Sequence, residues 1–88
     1  MTGFNATTTP LVFPCQIAVK AMGSAMANMT ERVEEIAALY ARVVDSKSTA
    51  SRNGSYISVT VTVEAHSREQ LEKLYGALHD DDAVIMTL

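Results

Sequence analysis

Apolar and polar residues alternate along two stretches of the chain. In residues 15–22 the apolar side consists of Cys15, Ile17, Val19 and Ala21. In residues 56–65 it consists of Ile57, Val59, Val61, Val63 and Ala65. Successive side chains of a strand point to opposite faces, so this alternation is typical of a strand with one face in a core. We therefore predict two half-buried strands.

A helical spacing of apolar residues follows the first strand. The stripe consists of Met29, Val33, Ile36, Ala37 and Tyr40. Asn28 and Glu31 form a capping-box pattern before it, in which the Asn28 side chain is expected to accept a backbone N–H. Met22, Met26 and Met29 are expected to pack in the core rather than to bind a metal or a partner.

A second helical stripe follows the second strand. It consists of Leu71, Leu74, Tyr75 and Leu78. Ser67 and Gln70 repeat the capping-box pattern at its start. Gly76 lies inside this helix, where glycine is unfavourable by about 1 kcal/mol relative to alanine. We therefore expect another backbone to approach Gly76 closely.

Two further strands complete the predicted elements. Residues 44–51 are polar and weak as a strand, which is typical of a sheet edge. Asn53-Gly54 then predicts a type I′ turn that pairs residues 44–51 with 56–65, because both central residues of that turn need positive φ. The last strand is predicted over residues 83–88.

The resulting order is strand, helix, strand, strand, helix, strand. Two right-handed βαβ crossovers joined by a hairpin give a ferredoxin-like βαββαβ plait of the α+β class. Its four-stranded antiparallel sheet should have strand order 4-1-3-2, with both helices on one face. We expect a flexible N-terminal segment over residues 1–12 and a single domain over residues 13–88.

Composition narrows the classes of partner. The chain has 88 residues, 48% of them apolar, and a formal net charge of −3. Its seven Lys and Arg residues are scattered, which disfavours a nucleic acid or an anionic membrane as partner. No apolar run approaches the roughly 20 residues of a membrane span, and no signal-peptide pattern begins the chain, so we expect a cytoplasmic protein.

The residues that could carry catalysis or bind metals are few and isolated. Cys15, His66 and His79 lack the spacing of a zinc site, and Asp80, Asp81 and Asp82 lack the alternating ligands of a calcium loop. We expect no metal, no cofactor and no catalytic residue, and therefore not an enzyme. A hidden activity would have to rest on Cys15, His66 and His79.

Two stretches resemble a known family. They are FPCQIAVKAMG, residues 13–23, and SRNGSYISV, residues 51–59, and both are similar to the YbeD-like family of small bacterial proteins of uncharacterised function. The resemblance extends over residues 13–88. It implies a ferredoxin-like fold similar to the ACT-type regulatory domains of amino-acid metabolic enzymes, and no established reaction. Some members are encoded beside lipoate-attachment genes, which links the family to lipoate metabolism by neighbourhood alone.

Two candidate surfaces follow from the predicted plait. The first is the sheet face away from the helices, where we expect Gln16, Ala18, Lys20, Ser58, Thr60 and Thr62. The second comprises two loops, Met22, Gly23 and Ser24 after the first strand and Arg52, Asn53, Gly54, Ser55 and Tyr56 in the hairpin.

These surfaces lead to two hypotheses about function. The first is a regulatory or adaptor module that contacts another protein, or a second copy of itself, through the open sheet face. The alternative is an ACT-like domain that binds a small ligand, an amino acid or a lipoyl-type carboxylate, near Gly23 and Lys20. The six sheet-face residues include no aromatic side chain for stacking on RNA bases, which also disfavours RNA binding.

Overall fold

A computed structural model describes residues 12–87. Its elements are β1 (Cys15–Ser24), α1 (Met29–Tyr40), β2 (Arg42–Ala50), β3 (Tyr56–Ala65), α2 (Arg68–Asp80) and β4 (Val84–Thr87). The predicted flexible segment over residues 1–12 lies, apart from its last residue, outside the described residues, as does residue 88. Neither helix of the described part is long and apolar enough to cross a membrane.

The four strands form one antiparallel sheet in the order β2-β3-β1-β4. This is the predicted order 4-1-3-2, read from the other edge, so the ferredoxin-like plait is confirmed. β1 and β3 are the central strands and pair along their whole length, from Cys15 opposite Ala65 to Ser24 opposite Tyr56. The polar strand β2 lies at an edge, as its composition predicts.

The core lies between one face of the sheet and the two helices. Its fully or almost fully buried side chains are Val19, Ala21, Val59, Val61, Val63 and Ala65 from the sheet, and Met29, Val33, Ala37, Leu71, Leu74 and Leu78 from the helices. Burying a side chain of valine or leucine size stabilises the fold by roughly 1.5–3 kcal/mol. The alternation in β1 and β3 therefore specifies which face of the sheet the helices cover.

Helix α2 begins with the predicted cap. The Gln70 N–H donates to Ser67 Oγ at 3.1 Å. The Gln70 side chain reaches one residue further back than a standard capping box, since its Oε1 accepts from the His66 N–H at 2.6 Å. Its Nε2 donates to the Tyr40 carbonyl at 2.8 Å, which ties the start of α2 to the end of α1.

Helix α1 begins differently from the prediction. Asn28 has left-handed backbone angles, φ 57° and ψ 44°, and its side chain caps no backbone N–H. Its Nδ2 instead donates to Glu31 Oε2 at 3.3 Å. An N-cap that accepts from the first turn normally has extended angles, so the predicted capping box at Asn28 is wrong although the helix itself is correct.

The hairpin between β2 and β3 also differs in its turn. Within this hairpin only Gly54 has a positive φ, 76°, so the predicted type I′ turn, which needs two such residues, is wrong. Five residues, 51–55, connect the two strands, and the Gly54 N–H closes a turn by donating to the Ser51 carbonyl at 2.9 Å. The Asn53 side chain helps to shape this loop, because its Oδ1 accepts from the Ser55 N–H at 3.1 Å.

The strand β4 is short and covers only part of its neighbour. It pairs with β1 at Ala21, Met22 and Gly23, with a register shift between the last two. Among residues 12–87, the stretch from Cys15 to Lys20 therefore pairs with β3 on one side and has no strand on the other.

Candidate functional site

The open face is the side of the sheet that carries no helix. Residues directly opposite each other on antiparallel strands share a face, so the register arranges the open face in rows. The rows are Arg42–Glu64–Gln16, Asp45–Thr62–Ala18, Lys47–Thr60–Lys20, Thr49–Ser58–Met22–Met86 and Tyr56–Ser24. All six residues predicted for this face from the sequence lie on it.

Charge on the open face differs from that of the rest of the chain. The face carries three cations, Arg42, Lys47 and Lys20, and two anions, Asp45 and Glu64, a formal charge of +1. The remainder of the chain carries four cations and eight anions, a formal charge of −4. A protein of net negative charge therefore presents its least acidic surface on this face.

One corner of the open face is apolar. Met22 and Met86 are opposite each other on β1 and β4, and Tyr56 begins β3 at the same end of the sheet. Tyr56 is 46% exposed and Met86 51% exposed. The expectation that Met22 packs in the core is therefore wrong, since this side chain lies on the open face and is only half-buried.

The two predicted loops meet beyond this corner and form a cleft. The cleft has a volume of about 550 Å³ and is lined by Ser24, Ala25, Met26, Asn53, Gly54, Ser55 and Tyr56. A backbone hydrogen bond from the Ala25 N–H to the Ser55 carbonyl, 2.9 Å long, holds the loops together. Met26 is 94% exposed here, so its predicted place in the core is wrong, whereas Met29 is buried as expected.

The glycines of the two loops have different roles. Gly23 is buried, and a Cβ at this position would overlap the Ala83 carbonyl oxygen and lie 2.5 Å from Met29 Sδ. Gly23 is therefore required by packing and offers no surface to a ligand. Gly54 has open space around it and serves the turn through its positive φ. Arg52 is exposed in the same hairpin.

The candidate catalytic residues are not assembled. Cys15 is a half-buried free thiol on the helix-covered face, packed against the core. The His66 Nε2 lies 3.0 Å from Glu64 Oε1. His79 lies in the last turn of α2, about 18 Å along the helix from its start beside His66. Within residues 12–87 no three His, Cys, Asp or Glu side chains are placed to hold a metal ion.

The acidic run after α2 has a structural role at one position. Arg32 Nη1 lies 3.1 Å from Asp81 Oδ2, which joins α1 to the loop before β4. Asp81 Oδ1 also accepts from the Ala83 N–H at 2.8 Å. The sequence was searched at this run only for the spacing of a calcium loop, and the ion pair was missed because its two members are 49 residues apart.

The comparisons with known proteins agree with this fold. The family described as "Protein of unknown function (DUF493)" matches residues 8–88. The chain belongs to the DUF493 family. The resemblance to YbeD-like proteins is therefore confirmed, and nearly the whole chain carries it.

Similar proteins of the DUF493 family occur in several bacteria. A UPF0250 protein of Nitrosomonas europaea is 42% identical over 79 residues, covering 86% of this chain and 91% of the relative. A UPF0250 protein of Vibrio cholerae is 42% identical over 79 residues, covering 89% of this chain and 86% of the relative.

A solved structure gives the same fold. The solution structure of a protein from H. pylori superposes with a TM-score of 0.72 at 17% identity, covering 100% of this chain and 98% of that protein. Similarity at this level of identity establishes the fold and leaves the activity of the DUF493 family open.

Proposed function

We propose that this DUF493 protein is a small non-enzymatic module that works in regulation or as an adaptor through protein contact on its open face. The supporting observation is the composition of that face. Its side chains at the centre of β3, Ser58, Thr60 and Thr62, are short. Its corner at Met22, Met86 and Tyr56 is apolar, and its formal charge is opposite in sign to that of the rest of the chain. Protein interfaces typically combine an apolar anchor of aromatic and Met side chains with a polar surround.

The side chains that a reaction would need support the same proposal. Cys15 packs against the core, and His66 and His79 lie at opposite ends of α2. A nucleophile requires a base within hydrogen-bond reach, and no such pair exists among these three residues. The proposal therefore assigns no reactive role to these three residues.

Site-specific photo-crosslinking in the protein's own cells tests the contact. A photoreactive amino acid at Thr60 reports the centre of the open face, and the same amino acid at Ala38, an exposed position on α1, is the matched control. We expect protein adducts from position 60 that are absent or much weaker from position 38. Adducts of equal yield from both positions, or none from position 60, would remove the contact proposal.

A substitution adds a second readout of the same contact. Thr60→Arg places a long charged side chain among Lys20 and Lys47, whereas Ala38→Arg adds the same charge on the helix layer. We expect the crosslink captured from position 58 to be lost with Thr60→Arg and retained with Ala38→Arg. Thermal melting of both variants checks that each one folds.

Small-ligand binding is the second candidate, and the cleft favours it. Of the two residues near which the ligand was expected, Gly23 is buried and Lys20 lies about 13 Å along β1 from Ser24. The cleft between Ser24 and Ser55 provides hydroxyl groups and the exposed Tyr56 ring instead. An amino acid or a lipoyl-type carboxylate is the ligand class that we propose for it.

Thermal-shift measurements with amino acids and lipoate test the cleft. A ligand at 100 times its dissociation constant stabilises a fold by about 2.7 kcal/mol, which raises Tm by about 10–20 °C in a domain of this size. Ser55→Trp, which fills the cleft, should abolish the shift. Unchanged melting curves across the series, or a shift that Ser55→Trp retains, would exclude this cleft as the site.

A further inference from the structure

Two opposite charges on the edge strand β2 have no ion-pair partner among residues 12–87. Asp45 and Lys47 are both exposed, lie two residues apart and point to the open face. Lys47 belongs to the row with Thr60, and Asp45 belongs to the adjacent row with Thr62. Neighbouring rows of a sheet face are about 6.6 Å apart. One copy of the chain therefore presents a positive and a negative charge side by side at the same edge of the face.

We propose that two copies of the chain dock open face to open face about a two-fold axis that passes between these rows. The inference deepens the proposed contact function and rests on it. The same axis places Met22 of the apolar corner over Gln16 of the second copy, so the charges of β2 and not this corner define the dimer. The axis lies in the interface and crosses the strands at a right angle, so β2 of one copy runs antiparallel over β2 of the other. Asp45 then faces Lys47 of the second copy, and by symmetry Lys47 faces Asp45 of the second copy.

The charges select this axis over its neighbours. An axis through the Lys47–Thr60–Lys20 row would place Lys47 over Lys47, and an axis through the next row would place Asp45 over Asp45. Like charges brought together in an interface cost several kcal/mol, so both alternatives are disfavoured. The axis between the rows converts the same residues into two opposite-charge pairs.

The side-chain sizes fit the same axis. On β1 it places the long side chain of Lys20 over the small Ala18 of the second copy, and this pair also occurs twice. On β3 the axis places Thr60 over Thr62 of the second copy, so short side chains meet at the centre of the interface. Sheets that pack face to face lie about 10 Å apart with interdigitated side chains, and alternation of long and short residues satisfies that spacing.

The available area corresponds to a weak, reversible dimer. Three strands about 4.8 Å apart and nine residues long, with the four residues of β4 beside them, define a face on the order of 500 Å² per copy. The total of roughly 1,000 Å² is at the lower limit for a specific protein interface and corresponds to a weak, transient contact. We therefore expect a dissociation constant in the micromolar range.

Charge reversal with rescue tests the dimer. Sedimentation velocity over about 5–500 µM, a range that brackets a micromolar dissociation constant, is measured for the wild-type chain, Lys47→Asp, Asp45→Lys and the double reversal. Each single reversal places like charges over each other at two symmetric positions, so we expect the dissociation constant to rise at least tenfold. The double reversal restores opposite pairs and should return to within about threefold of the wild type.

A matched control separates the interface from net charge. Lys73→Asp changes the net charge as much as Lys47→Asp does, but on α2, where Lys73 pairs with Glu69 on the exposed helix layer. It should leave the dissociation constant unchanged. Thermal melting of all variants verifies that each one folds. If the double reversal still dimerises, positions 45 and 47 act as a pair across the interface.

Three outcomes overturn the dimer. The first is a wild-type chain that stays monomeric throughout the range. The second is a double reversal as weak as the single ones, and the third is an equal loss of dimer with Lys73→Asp. A monomer whose position 60 still gives a crosslink to a different protein leaves the contact function standing and assigns the face to that protein instead. Absence of any crosslink removes both proposals.

Discussion

Gly23 and Gly76 lie in contrasting environments, so the same substitution should act in opposite directions at the two sites. A Cβ at Gly23 would overlap the Ala83 carbonyl oxygen and approach Met29 Sδ. A Cβ at Gly76, on α2, would have nothing within 4 Å outside its own helix backbone. The expectation that another backbone approaches Gly76 is therefore wrong, and Gly76→Ala is a matched control for Gly23→Ala.

The expected changes in the free energy of unfolding follow from these contacts. Gly23 does not have a positive φ, so alanine suits its backbone and gains about 0.5–1 kcal/mol from the unfolded state. Overpacking costs about 1–3 kcal/mol, and overlap with a backbone oxygen lies in the upper part of that range, about 2–3 kcal/mol, which leaves Gly23→Ala destabilised by about 1–2.5 kcal/mol. Gly76→Ala gains about 1 kcal/mol from helix propensity. The two variants should therefore differ by about 2–3.5 kcal/mol, or about 10–20 °C in Tm.

Urea unfolding followed by circular dichroism measures both variants against the wild type. Equal m values would show that each substitution changes stability and not the extent of unfolding. A Gly23→Ala variant as stable as the wild type would contradict the predicted overlap with the Ala83 carbonyl oxygen. A loss of more than about 0.5 kcal/mol in Gly76→Ala would likewise contradict the open space around Gly76, because exposed helical sites of this kind should gain stability.

Three further predictions concern the helix ends and the edge of the core. Ser67→Ala removes the acceptor at the start of α2 and should cost about 1 kcal/mol in urea unfolding; a cost near zero would show that the cap contributes nothing. Arg32→Met and Asp81→Asn, in a double-mutant cycle, should give a coupling of about 0.5–1 kcal/mol that decreases with salt, since Arg32 is largely exposed; a coupling of zero would contradict the pair. Burial raises the pKa of the Tyr75 phenol, so the unfolded chain loses this proton first and stability should fall as the pH rises above about 10; Tyr75→Phe should flatten that decline, and parallel pH profiles would contradict it.

The alternation of β3 shows how much of the fold the sequence predicts. Val59, Val61 and Val63 are fully buried because the helices cover one face of this sheet, and the alternation of β3 makes the side that faces them evident in the sequence. The strand order followed from the connections alone, since right-handed crossovers leave few arrangements of six elements. The burial pattern depends on the alternation of neighbouring residues, and the strand order depends on the right-handedness of βαβ crossovers. Both can be predicted without coordinates.

The local turns and caps were predicted less well. Asn28 and Asn53 both have the residue type that the motif requires, yet the backbone at Asn28 is left-handed and that at Asn53 is not. Asparagine is compatible with both conformations, so residue type alone does not decide between them. The helix and the hairpin form in either case, because their apolar faces pack in the core.

The candidate surfaces depend on register, which the sequence leaves open. Tyr56 joins Met22 at the apolar corner because Ser24 is opposite Tyr56, and a shift of one residue would have turned the Tyr56 side chain to the helices. The pairing of Arg32 with Asp81 likewise requires the end of α2 to lie beside α1. Contacts of this kind join distant parts of the chain, so no local pattern predicts them.

The short β4 has a consequence for the exchange of backbone amide hydrogens with solvent. In an antiparallel sheet the N–H groups of successive residues point to alternate neighbours. From Cys15 to Lys20, every second amide of β1 therefore points to β3, and the others point to the side that β4 does not reach. Hydrogen–deuterium exchange should be slow and fast at alternate residues along this stretch and uniformly slow from Ala21 to Gly23. A strand at the centre of the sheet thus has, over half its length, the exchange behaviour of an edge.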